Sequence, residues 1–379
     1  MRKAFISPGK YVQGEGELLN LGYFVKTFGS TALLIAHEDD VNRVQEQLDA
    51  TKATYGIQFV QSNFGGECSR EEVTRLQALA AESNCDCTIG LGGGKAIDTA
   101  KCVAQGGPLI ICPTIAATDA PTSHSAVLYT PEGAFDDYAY FSQSPSVVLV
   151  DTKVIAQAPT RFLVSGMGDS LSTYFEARAT RSSYSPVNAG LPCGYREGHC
   201  PPARGTNTAF ALAKLCYQTL LADGVKAKLS CDLSQVTPAL ENIVEANSLL
   251  SGLGFESGGL AAAHAIHDGL TIFEGTHQYY HGEKVAFGTL VQLVLENAPA
   301  EELEEVLDFC LSVGLPVCLA DIGVIAPSED ELYQAAEKAC IPEESIHAMP
   351  FPVTVENVVA AIKTADALGA QWKSTWHHH

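Results

Sequence analysis

One stretch of sequence decides the fold of this chain, and it reads Gly90-Leu91-Gly92-Gly93-Gly94-Lys95. It follows an apolar run at 87–91 and precedes a helix-like segment at 95–103. A glycine cluster between a strand and a helix lets backbone N–H groups and the positive end of the helix dipole meet a pyrophosphate. Because the spacing is neither G-x-G-x-x-G nor a Walker A motif, the same glycines also suit an ordinary tight turn.

Short apolar runs alternate with amphipathic stretches on both sides of this turn. The pattern predicts strands at 32–36, 57–60, 87–91 and 108–112, and helices at 41–50, 69–83 and 95–103. Ser69 and Glu72 have the S-x-x-E spacing of a capping box, which predicts the start of the second helix. The alternation predicts a parallel sheet with helices on its faces.

The second half of the chain has a different pattern. Long segments rich in Ala, Leu and Glu predict helices at 209–222, 238–250, 301–313 and 355–368, and a Pro- and Gly-rich stretch at 183–207 predicts a surface loop. A chain of 379 residues exceeds what one hydrophobic core usually supports. We therefore predict two domains, residues 1–158 and 159–379.

Composition excludes several classes of function. The chain has 23 Lys and Arg against 44 Asp and Glu, and its formal charge of −21 would repel nucleic acid and anionic lipid. No apolar run is long enough to span a bilayer and the start lacks a signal-peptide layout, so we predict a cytoplasmic protein. The 12 cysteines are scattered, with no zinc-ribbon or CxxC spacing, which indicates reduced, mostly buried thiols.

Six motifs spread over nearly the whole chain carry a family resemblance. They are Gly-Gly-Gly-Lys-Ala-Ile-Asp-Thr-Ala-Lys at 92–101, Pro-Thr-Ile-Ala-Ala-Thr-Asp-Ala-Pro at 113–121, Ser-Pro-Gly-Lys-Tyr at 7–11, Phe-Gly-Gly-Glu-Cys at 64–68, Gly-Phe-Glu-Ser-Gly-Gly at 254–259 and His-Gly-Glu-Lys-Val-Ala-Phe-Gly at 281–288. The chain resembles the glycerol dehydrogenases of the iron-containing alcohol dehydrogenase superfamily. The resemblance implies an N-terminal nucleotide-binding α/β domain with a parallel sheet, followed by an all-helical metal-binding domain, as in dehydroquinate synthase-like folds.

The resemblance also implies a cofactor site in the cleft between these domains. By motif position, the cofactor would contact Gly92, Gly93, Gly94, Lys95, Thr114, Thr118, Ser123, Ser125 and Tyr129. Asp119 would bind the substrate. Without the motif, these hydroxyl residues would read as a polar loop that caps neighbouring elements. Where the family has an acid that binds the adenosine ribose and favours NAD, this chain has His37, which the resemblance implies as a cofactor-binding residue. Glu38 or Asp39 could supply the acid instead, and the choice between NAD and NADP stays open at this point.

A metal site is the third implication of the resemblance. The implied ligands are Asp169, at the start of a helix-like run, His264, and His281 in a loop-like stretch. The spacing alone fits metal ligands no better than it fits histidines that simply pack within a helical domain. Two imidazoles and a carboxylate suit zinc with an open fourth position. Iron-using members carry a His where this chain has Thr173, so we predict Zn²⁺ rather than iron.

Two further histidines have no assigned ligand role. His267 lies three residues after His264, on the same helix face, and we predict it as a catalytic residue that relays a proton. His277 is the alternative for that role. A position outside the first coordination sphere or on the surface is the more frequent role of such a histidine, so it stays open for both residues.

Together these features predict a zinc-dependent oxidation of glycerol to dihydroxyacetone with hydride transfer to NAD. Chelation of two vicinal oxygens would favour a polyol substrate, so another vicinal diol such as 1,2-propanediol is an alternative. A dehydroquinate synthase-like lyase shares the architecture, but it would need basic residues for a phosphorylated, carboxylated substrate. A non-catalytic binding module is a third interpretation. The resemblance also implies a homo-oligomer.

Overall fold

Six strands from the first 151 residues build one sheet in the computed structural model, which describes residues 2–190 and 202–376. The sheet order is β1-β8-β5-β4-β2-β3, and every pairing is parallel. Its strands are β1 Tyr11–Gly14, β2 Thr31–Ala36, β3 Gln58–Asn63, β4 Cys87–Gly92, β5 Leu109–Pro113 and β8 Val147–Asp151. The predicted parallel sheet is confirmed, including the strand that leads into the glycine turn.

Helices cover this sheet and make up the second half of the described chain. The α-helices of the first half are α1 Leu21–Lys26, α2 Glu38–Tyr55, α3 Arg70–Glu82, α4 Gly94–Ala104 and α5 Thr152–Ala156. Those of the second half are α6 Thr160–Ser183, α7 Asn207–Asp232, α8 Pro238–Glu245, α9 Ser251–Gly258, α10 Ala262–Leu270, α11 His281–Leu295, α12 Ala300–Val313, α13 Glu329–Ala339 and α14 Val355–Thr375. The predicted fold class, an α/β sheet part followed by a helical part, is confirmed.

The glycine turn requires glycine at two positions where a side chain would not fit or would strain the backbone. A Cβ on Gly90 would lie 2.7 Å from Cβ of Ala100, so glycine lets α4 pack directly on β4. Gly92 has a φ of +150°, which L-residues rarely adopt. Gly93 then serves as the N-cap of α4. The N-terminus of α4 therefore points out from the carboxyl end of a central strand, where α/β sheets bind ligands.

Half of the predicted capping box on α3 is wrong. Ser69 is the N-cap, and its side chain accepts a hydrogen bond from the Glu72 amide, as predicted. The Glu72 carboxylate does not return to Ser69. It accepts from the Gly65 amide at 3.0 Å and pairs with Arg75, while the Ser69 amide donates to the Glu67 carbonyl at 2.9 Å instead.

An antiparallel hairpin, which the sequence did not indicate, leaves the parallel sheet between β5 and β8. It consists of β6 Ser125–Tyr129 and β7 Phe135–Tyr140. Its polar and aromatic side chains do not give the continuous apolar run of a buried strand. The hairpin continues directly from the 113–123 segment, so it extends the wall on which the predicted substrate and cofactor residues lie.

The long helix α6 begins well before the predicted start near Asp169. It starts at Thr160 and runs through both Gly166 and Gly168, residues that usually signal a break in a helix. A Cβ on Gly166 would lie 2.0 Å from the Ala116 carbonyl oxygen, and one on Gly168 would lie 2.3 Å from that of Gly282. These glycines are required by tertiary contacts rather than by a turn.

The predicted surface loop at 183–207 is described only at its ends. Val187, Gly190 and Ala203 are buried there, and Val187 donates its backbone N–H to the Ala203 carbonyl. These three residues are therefore packed inside, whereas Tyr184 and Pro186 are exposed, as predicted for a surface loop. The remainder of the predicted loop, 191–201, lies outside the described residues.

The cysteines of the described residues agree with the prediction of reduced thiols. All ten are free, and most are buried. Cys193 and Cys200 lie outside the described residues. Among the described helices, no segment is both long and apolar enough to cross a membrane. The predicted domain boundary at residue 158 falls between α5 and α6, and apolar side chains of both halves join in one hydrophobic cluster.

Replacing Gly166 with Ala tests the packing of α6 against the 113–119 segment. A Gly→Ala change in an unhindered helix stabilises by roughly 0.5–1 kcal/mol. Here the overlap with the Ala116 carbonyl should dominate and lower the free energy of unfolding by about 1–3 kcal/mol. Urea unfolding followed by circular dichroism measures the difference. Ser182→Ala, at an exposed position of the same helix, should change it little, and equal stabilities of the two variants would contradict the packing argument.

Candidate metal and cofactor site

A buried carboxylate lies at the centre of the predicted metal site. Asp169 occupies the middle of α6 and its side chain is 1% exposed. Its Oδ1 lies 3.4 Å from His264 Nε2 and 3.2 Å from His281 Nε2. Within the described residues, this oxygen has no hydrogen-bond partner. Because an unpaired buried carboxylate oxygen is costly, the arrangement calls for a cation between the three groups.

The two imidazoles come from different helices. His264 is in α10, and His281 is the first residue of α11 rather than part of a loop, so the loop prediction is wrong. Donor atoms of Asp169, His264 and His281 all lie within 4.8 Å of one another, a grouping that can hold a metal ion. Their role as ligands stays a prediction. His281 is 38% exposed, so the group opens to solvent on its side.

Backbone contact between α6 and α11 brings these groups together. A Cβ on Gly282 would lie 1.8 Å from the Ser165 carbonyl oxygen, so only glycine fits there. Gly168 faces the Gly282 carbonyl oxygen from the opposite helix in the same manner. Asp169 and His281 are each next to one of these glycines, and the close crossing therefore sets the distance between them.

The charges of this group shift its pKa values strongly. Burial alone would raise the pKa of Asp169, but the imidazoles of His281 and His264 outweigh it and lower that pKa below its ordinary value. Burial would likewise lower the pKa of His264, but the carboxylates of Glu176 and Asp169 raise it well above its ordinary value. The site therefore stabilises negative charge on Asp169 and attracts positive charge to its surroundings.

Asp119, the predicted substrate residue, lies next to this group. Its backbone N–H donates to Asp169 Oδ2 at 3.3 Å, and its own Oδ2 accepts from Ser251 Oγ at 2.7 Å. Ser251 in turn shares a hydrogen bond of 2.8 Å with Thr173 Oγ1. Burial and the nearby Asp169 charge raise the pKa of Asp119 well above its ordinary value. The Asp119 carboxyl is thus held in one orientation beside Asp169.

The two remaining histidines differ in position. His267 is buried, its ring centroid lies 4.4 Å from that of His281, and its Nδ1 lies 2.9 Å from Asp268 Oδ1. Burial, with a smaller contribution from His281, lowers the pKa of His267 to about 4. His277 is exposed and bonds through Nε2 to the Thr271 carbonyl. Of these two histidines, only His267 lies against His281 and so against the candidate metal ligands.

The glycine turn has an acidic neighbour that the sequence did not single out. Asp40 Oδ1 accepts from Thr114 Oγ1 at 2.7 Å, and a Cβ on Gly92 would lie 3.2 Å from Asp40 Oδ2. On the other side of the turn, a Cβ on Gly94 would lie 3.8 Å from Thr118 Oγ1. The structure therefore brings the predicted residues Thr114 and Thr118 to the glycine turn.

Lys95 and Tyr129 are also in contact. Lys95 Nζ lies 5.1 Å from the centre of the Tyr129 ring and 2.5 Å from Glu67 Oε1. Burial, and then the charge of Asp98, raise the pKa of Tyr129 to about 12. Tyr129 is therefore neutral, and the Lys95 charge is balanced by Glu67.

The predicted residues Ser123 and Ser125 are tied together by a buried lysine. Lys101 Nζ donates to Ser123 Oγ at 2.9 Å, to the Ser125 carbonyl at 2.8 Å and to the Ala120 carbonyl at 2.7 Å, and it pairs with Asp98 at 3.1 Å. Ser123 is itself buried. Lys101 thus fixes the shape of the segment that follows Asp119, while a direct contact of either serine with the cofactor stays a prediction.

His37 lies at the carboxyl end of β2, where the cofactor ribose is predicted. It is the N-cap of α2, its Nδ1 accepts from the Asp39 amide at 3.3 Å, and its side chain is 51% exposed. Asp39 is 87% exposed. Of the acids that follow β2, Asp40 is the one whose carboxylate is turned toward the glycine turn.

Two buried residues that hold the site were missed from the sequence. Glu176 Oε2 lies 2.7 Å from His264 Nδ1. Asn247, in a π-helical turn between α8 and α9, donates to the carbonyls of Ala116 and Leu163 and so ties the 113–119 segment to α6. Glu176 follows Asp169 by seven residues, about two helical turns. A sequence prediction that had started α6 at Thr160 would therefore have placed both carboxylates on one helix face.

Comparison with known proteins agrees with this architecture. The family model of iron-containing alcohol dehydrogenase matches residues 8–152. The glycerol dehydrogenase of Thermotoga maritima is 50% identical over 374 residues, which cover 97% of this chain and 98% of that protein. The chain belongs to the glycerol dehydrogenase family.

Solved structures show that the similarity to glycerol dehydrogenases includes the three-dimensional fold. The glycerol dehydrogenase of Schizosaccharomyces pombe matches with a TM-score of 0.91 at 37% identity, covering 100% of this chain and 94% of that one. The sulfoacetaldehyde reductase of Bifidobacterium kashiwanohense in complex with NAD+ shares the fold, with a TM-score of 0.75 at 17% identity over 97% and 99% of the two chains. The predicted family resemblance is confirmed, and the chain is an oxidoreductase of the glycerol dehydrogenase family.

Metal binding should stabilise the folded protein through Asp169. We expect the thermal unfolding midpoint of the chelator-treated protein to rise when Zn²⁺ is added, because a ligand that binds only the folded state adds about 2.7 kcal/mol at one hundred times its Kd. Differential scanning calorimetry measures the rise. Asp169→Asn should abolish it, whereas Asp268→Asn, which alters a neighbouring carboxylate bonded to His267, should retain most of it. An unchanged rise in Asp169→Asn would exclude this group as the metal site.

Proposed function

We propose that the chain oxidises glycerol to dihydroxyacetone, with a divalent metal ion held by Asp169, His264 and His281 and with NAD as the hydride acceptor. The observation that carries the proposal is the convergence of two imidazole nitrogens on a buried carboxylate oxygen that has no other partner among the described residues. Membership of the glycerol dehydrogenase family supports the choice of substrate.

Zinc is the metal that we propose for this site. Three protein donors of the nitrogen and oxygen type with room for a further ligand are typical of catalytic zinc. Thr173, the position of an additional His in iron-using members, is bonded to Ser251 instead. The family description names iron, and two His with one carboxylate also suit iron(II). A divalent ion bound here would stabilise the negative charge that develops on a substrate hydroxyl as it loses its proton.

The residues around the metal group have separate roles in the proposed reaction. Asp119 hydrogen-bonds a substrate hydroxyl and orients the middle carbon for hydride transfer, and Ser251 keeps its carboxyl in place at 2.7 Å. Asp268 accepts from His267 Nδ1, so the second nitrogen of this neutral ring remains as the proton acceptor. His267 then carries the proton away from the reacting oxygen.

The glycine turn and the acids near it support NAD as the cofactor. A pyrophosphate at Gly92, Gly93 and Gly94 would meet the positive end of α4. Asp40, rather than Glu38 or Asp39, is proposed to disfavour the additional phosphate of NADP, because its carboxylate faces this turn. The NAD+ complex of the sulfoacetaldehyde reductase supports a nicotinamide cofactor through the shared fold.

An activity assay tests the proposed reaction. The zinc-loaded protein should reduce NAD in the presence of glycerol, and His264→Ala should lose this activity in a way that added zinc does not restore. His277→Ala is the matched control, because His277 is exposed and bonded to a backbone carbonyl, and it should keep its turnover. Normal turnover in His264→Ala would refute the proposal, and metal analysis of active protein decides between zinc and iron.

A substrate panel separates the alternative functions in the same assay. Faster turnover with 1,2-propanediol than with glycerol would make another vicinal diol the substrate. Turnover of a phosphorylated carboxylate without net change in NAD would indicate the lyase instead. The carboxylates of Asp169 and Asp268, whose pKa values are lowered by neighbouring imidazoles, disfavour such an anionic substrate.

Replacing Asp40 tests the cofactor assignment. Asp40→Asn removes the negative charge beside the glycine turn, so we expect the ratio of kcat/KM for NADP to that for NAD to rise about tenfold, roughly 1.4 kcal/mol. Initial rates with both cofactors measure it. Asp39→Asn removes the same charge from an exposed neighbour and should leave the ratio unchanged. If both variants raised the ratio equally, any negative charge in this region would disfavour NADP, which would contradict a specific role of Asp40.

A further inference from the structure

We propose that Glu176 is a positioning residue that sets the orientation and the tautomer of His264, so that His264 presents Nε2 to the metal. This inference deepens the proposed function, since it rests on the proposed metal site. No motif in the sequence drew attention to Glu176, which lies on α6 two turns beyond Asp169. Its effect on the reaction would be indirect, through the imidazole that it holds.

The contacts of Glu176 use both carboxylate oxygens. Oε2 lies 2.7 Å from His264 Nδ1. Oε1 accepts from the backbone amides of Ala261 at 2.9 Å and His264 at 3.0 Å. The side chain is fully buried, so water does not compete with these hydrogen bonds. One carboxylate therefore fixes both the start of α10 and the ring that α10 carries.

The tautomer of His264 follows from these contacts. An ionised carboxylate only accepts hydrogen bonds, so the ring must donate from Nδ1 to Glu176. A neutral ring that donates from Nδ1 has its lone pair on Nε2, the atom that lies 3.4 Å from Asp169 Oδ1. A lone pair facing a carboxylate oxygen is favourable only with a cation between them. Glu176 thus prepares His264 for a metal rather than for a hydrogen bond to Asp169.

The chain offers a control for the structural part of this role. Ala261, the N-cap of α10, makes no capping hydrogen bond through its side chain. Two buried side chains from other helices accept from the first amides instead: Glu176 as described, and Gln292, whose Oε1 accepts from the Ala263 amide at 2.9 Å. Gln292 caps the same helix start, yet no hydrogen bond joins it to His264 in the described residues. Replacing Gln292 should weaken the start of α10 without changing the tautomer of His264.

Metal affinity of the full-length protein is the first test. The metal-free wild type, Glu176→Gln and Gln292→Ala are titrated with Zn²⁺ in competition with a chromophoric chelator. In Glu176→Gln an amide N–H₂ faces Nδ1, which moves the ring proton to Nε2 and blocks ligation, so affinity should fall about 10–100-fold. Gln292→Ala should stay within about threefold of wild type. Equal losses in both variants, or no loss in Glu176→Gln, would overturn the proposal.

A second measurement remains decisive if Glu176→Gln does not fold. Nitrogen-15 NMR of histidine-labelled, zinc-loaded wild type reports which ring nitrogen of each histidine carries the proton and which binds the metal, and His264→Ala assigns the signal. We expect a proton on His264 Nδ1, and a neutral ring protonated on Nε2 would overturn the inference. The proposed function is tested separately: if Asp169→Asn binds zinc as tightly as wild type, the metal site is wrong, whereas an unaffected Glu176→Gln alone refutes only the role of Glu176.

Discussion

The rest of the site depends on one constraint, the burial of the Asp169 carboxylate between two imidazoles in the middle of α6. Burying an ionised carboxylate costs several kcal/mol unless compensating charge lies close by. His264 and His281 provide part of that compensation, and a metal ion between the three groups would complete it. The helices that carry the two histidines are therefore placed by electrostatics as well as by apolar packing.

Helix α6 is the element that connects this charge to the other half of the molecule. Gly168 admits the start of α11, which brings His281 to Asp169, and Gly166 admits the Ala116 carbonyl. Asn247 fastens the same segment to α6 by hydrogen bonds to Ala116 and Leu163. Asp119 follows three residues later, and its amide therefore reaches the Asp169 carboxylate. The site is assembled between the two halves.

Polar side chains around the three candidate donors hold the neighbouring residues in place. Glu176 fixes His264, Ser251 fixes Asp119, and Lys101 fixes the backbone between Asp119 and the hairpin. Each of these contacts is buried or largely buried, where a hydrogen bond to a charged group is worth about 1.5–3 kcal/mol. Small displacements of the site would break several of them together, which favours a preorganised site.

Local pattern was enough to predict four of the six strands (β2 to β5), the glycine turn and most of the longer helices, because burial and periodicity within about 15 residues decide them. It did not indicate β1 or β8. It failed where distant backbone decides the local structure. Gly166 and Gly168 suggested a break in the helix, but they lie within it because the carbonyls of Ala116 and Gly282 approach too closely for a side chain. His281 begins a helix rather than lying in a loop. Asp40 was passed over because its direction toward Gly92 depends on how α2 packs beside β4.

The family motifs supplied the candidate ligands that spacing alone left open. Their convergence in space could not be read from residues far apart in sequence. An anomalous diffraction map collected on either side of the zinc and iron absorption edges tests this central claim most directly. We predict one strong zinc-edge peak about 2.0–2.2 Å from Asp169, His264 Nε2 and His281 Nε2. A peak bound to other residues, or none in zinc-loaded active protein, would contradict it.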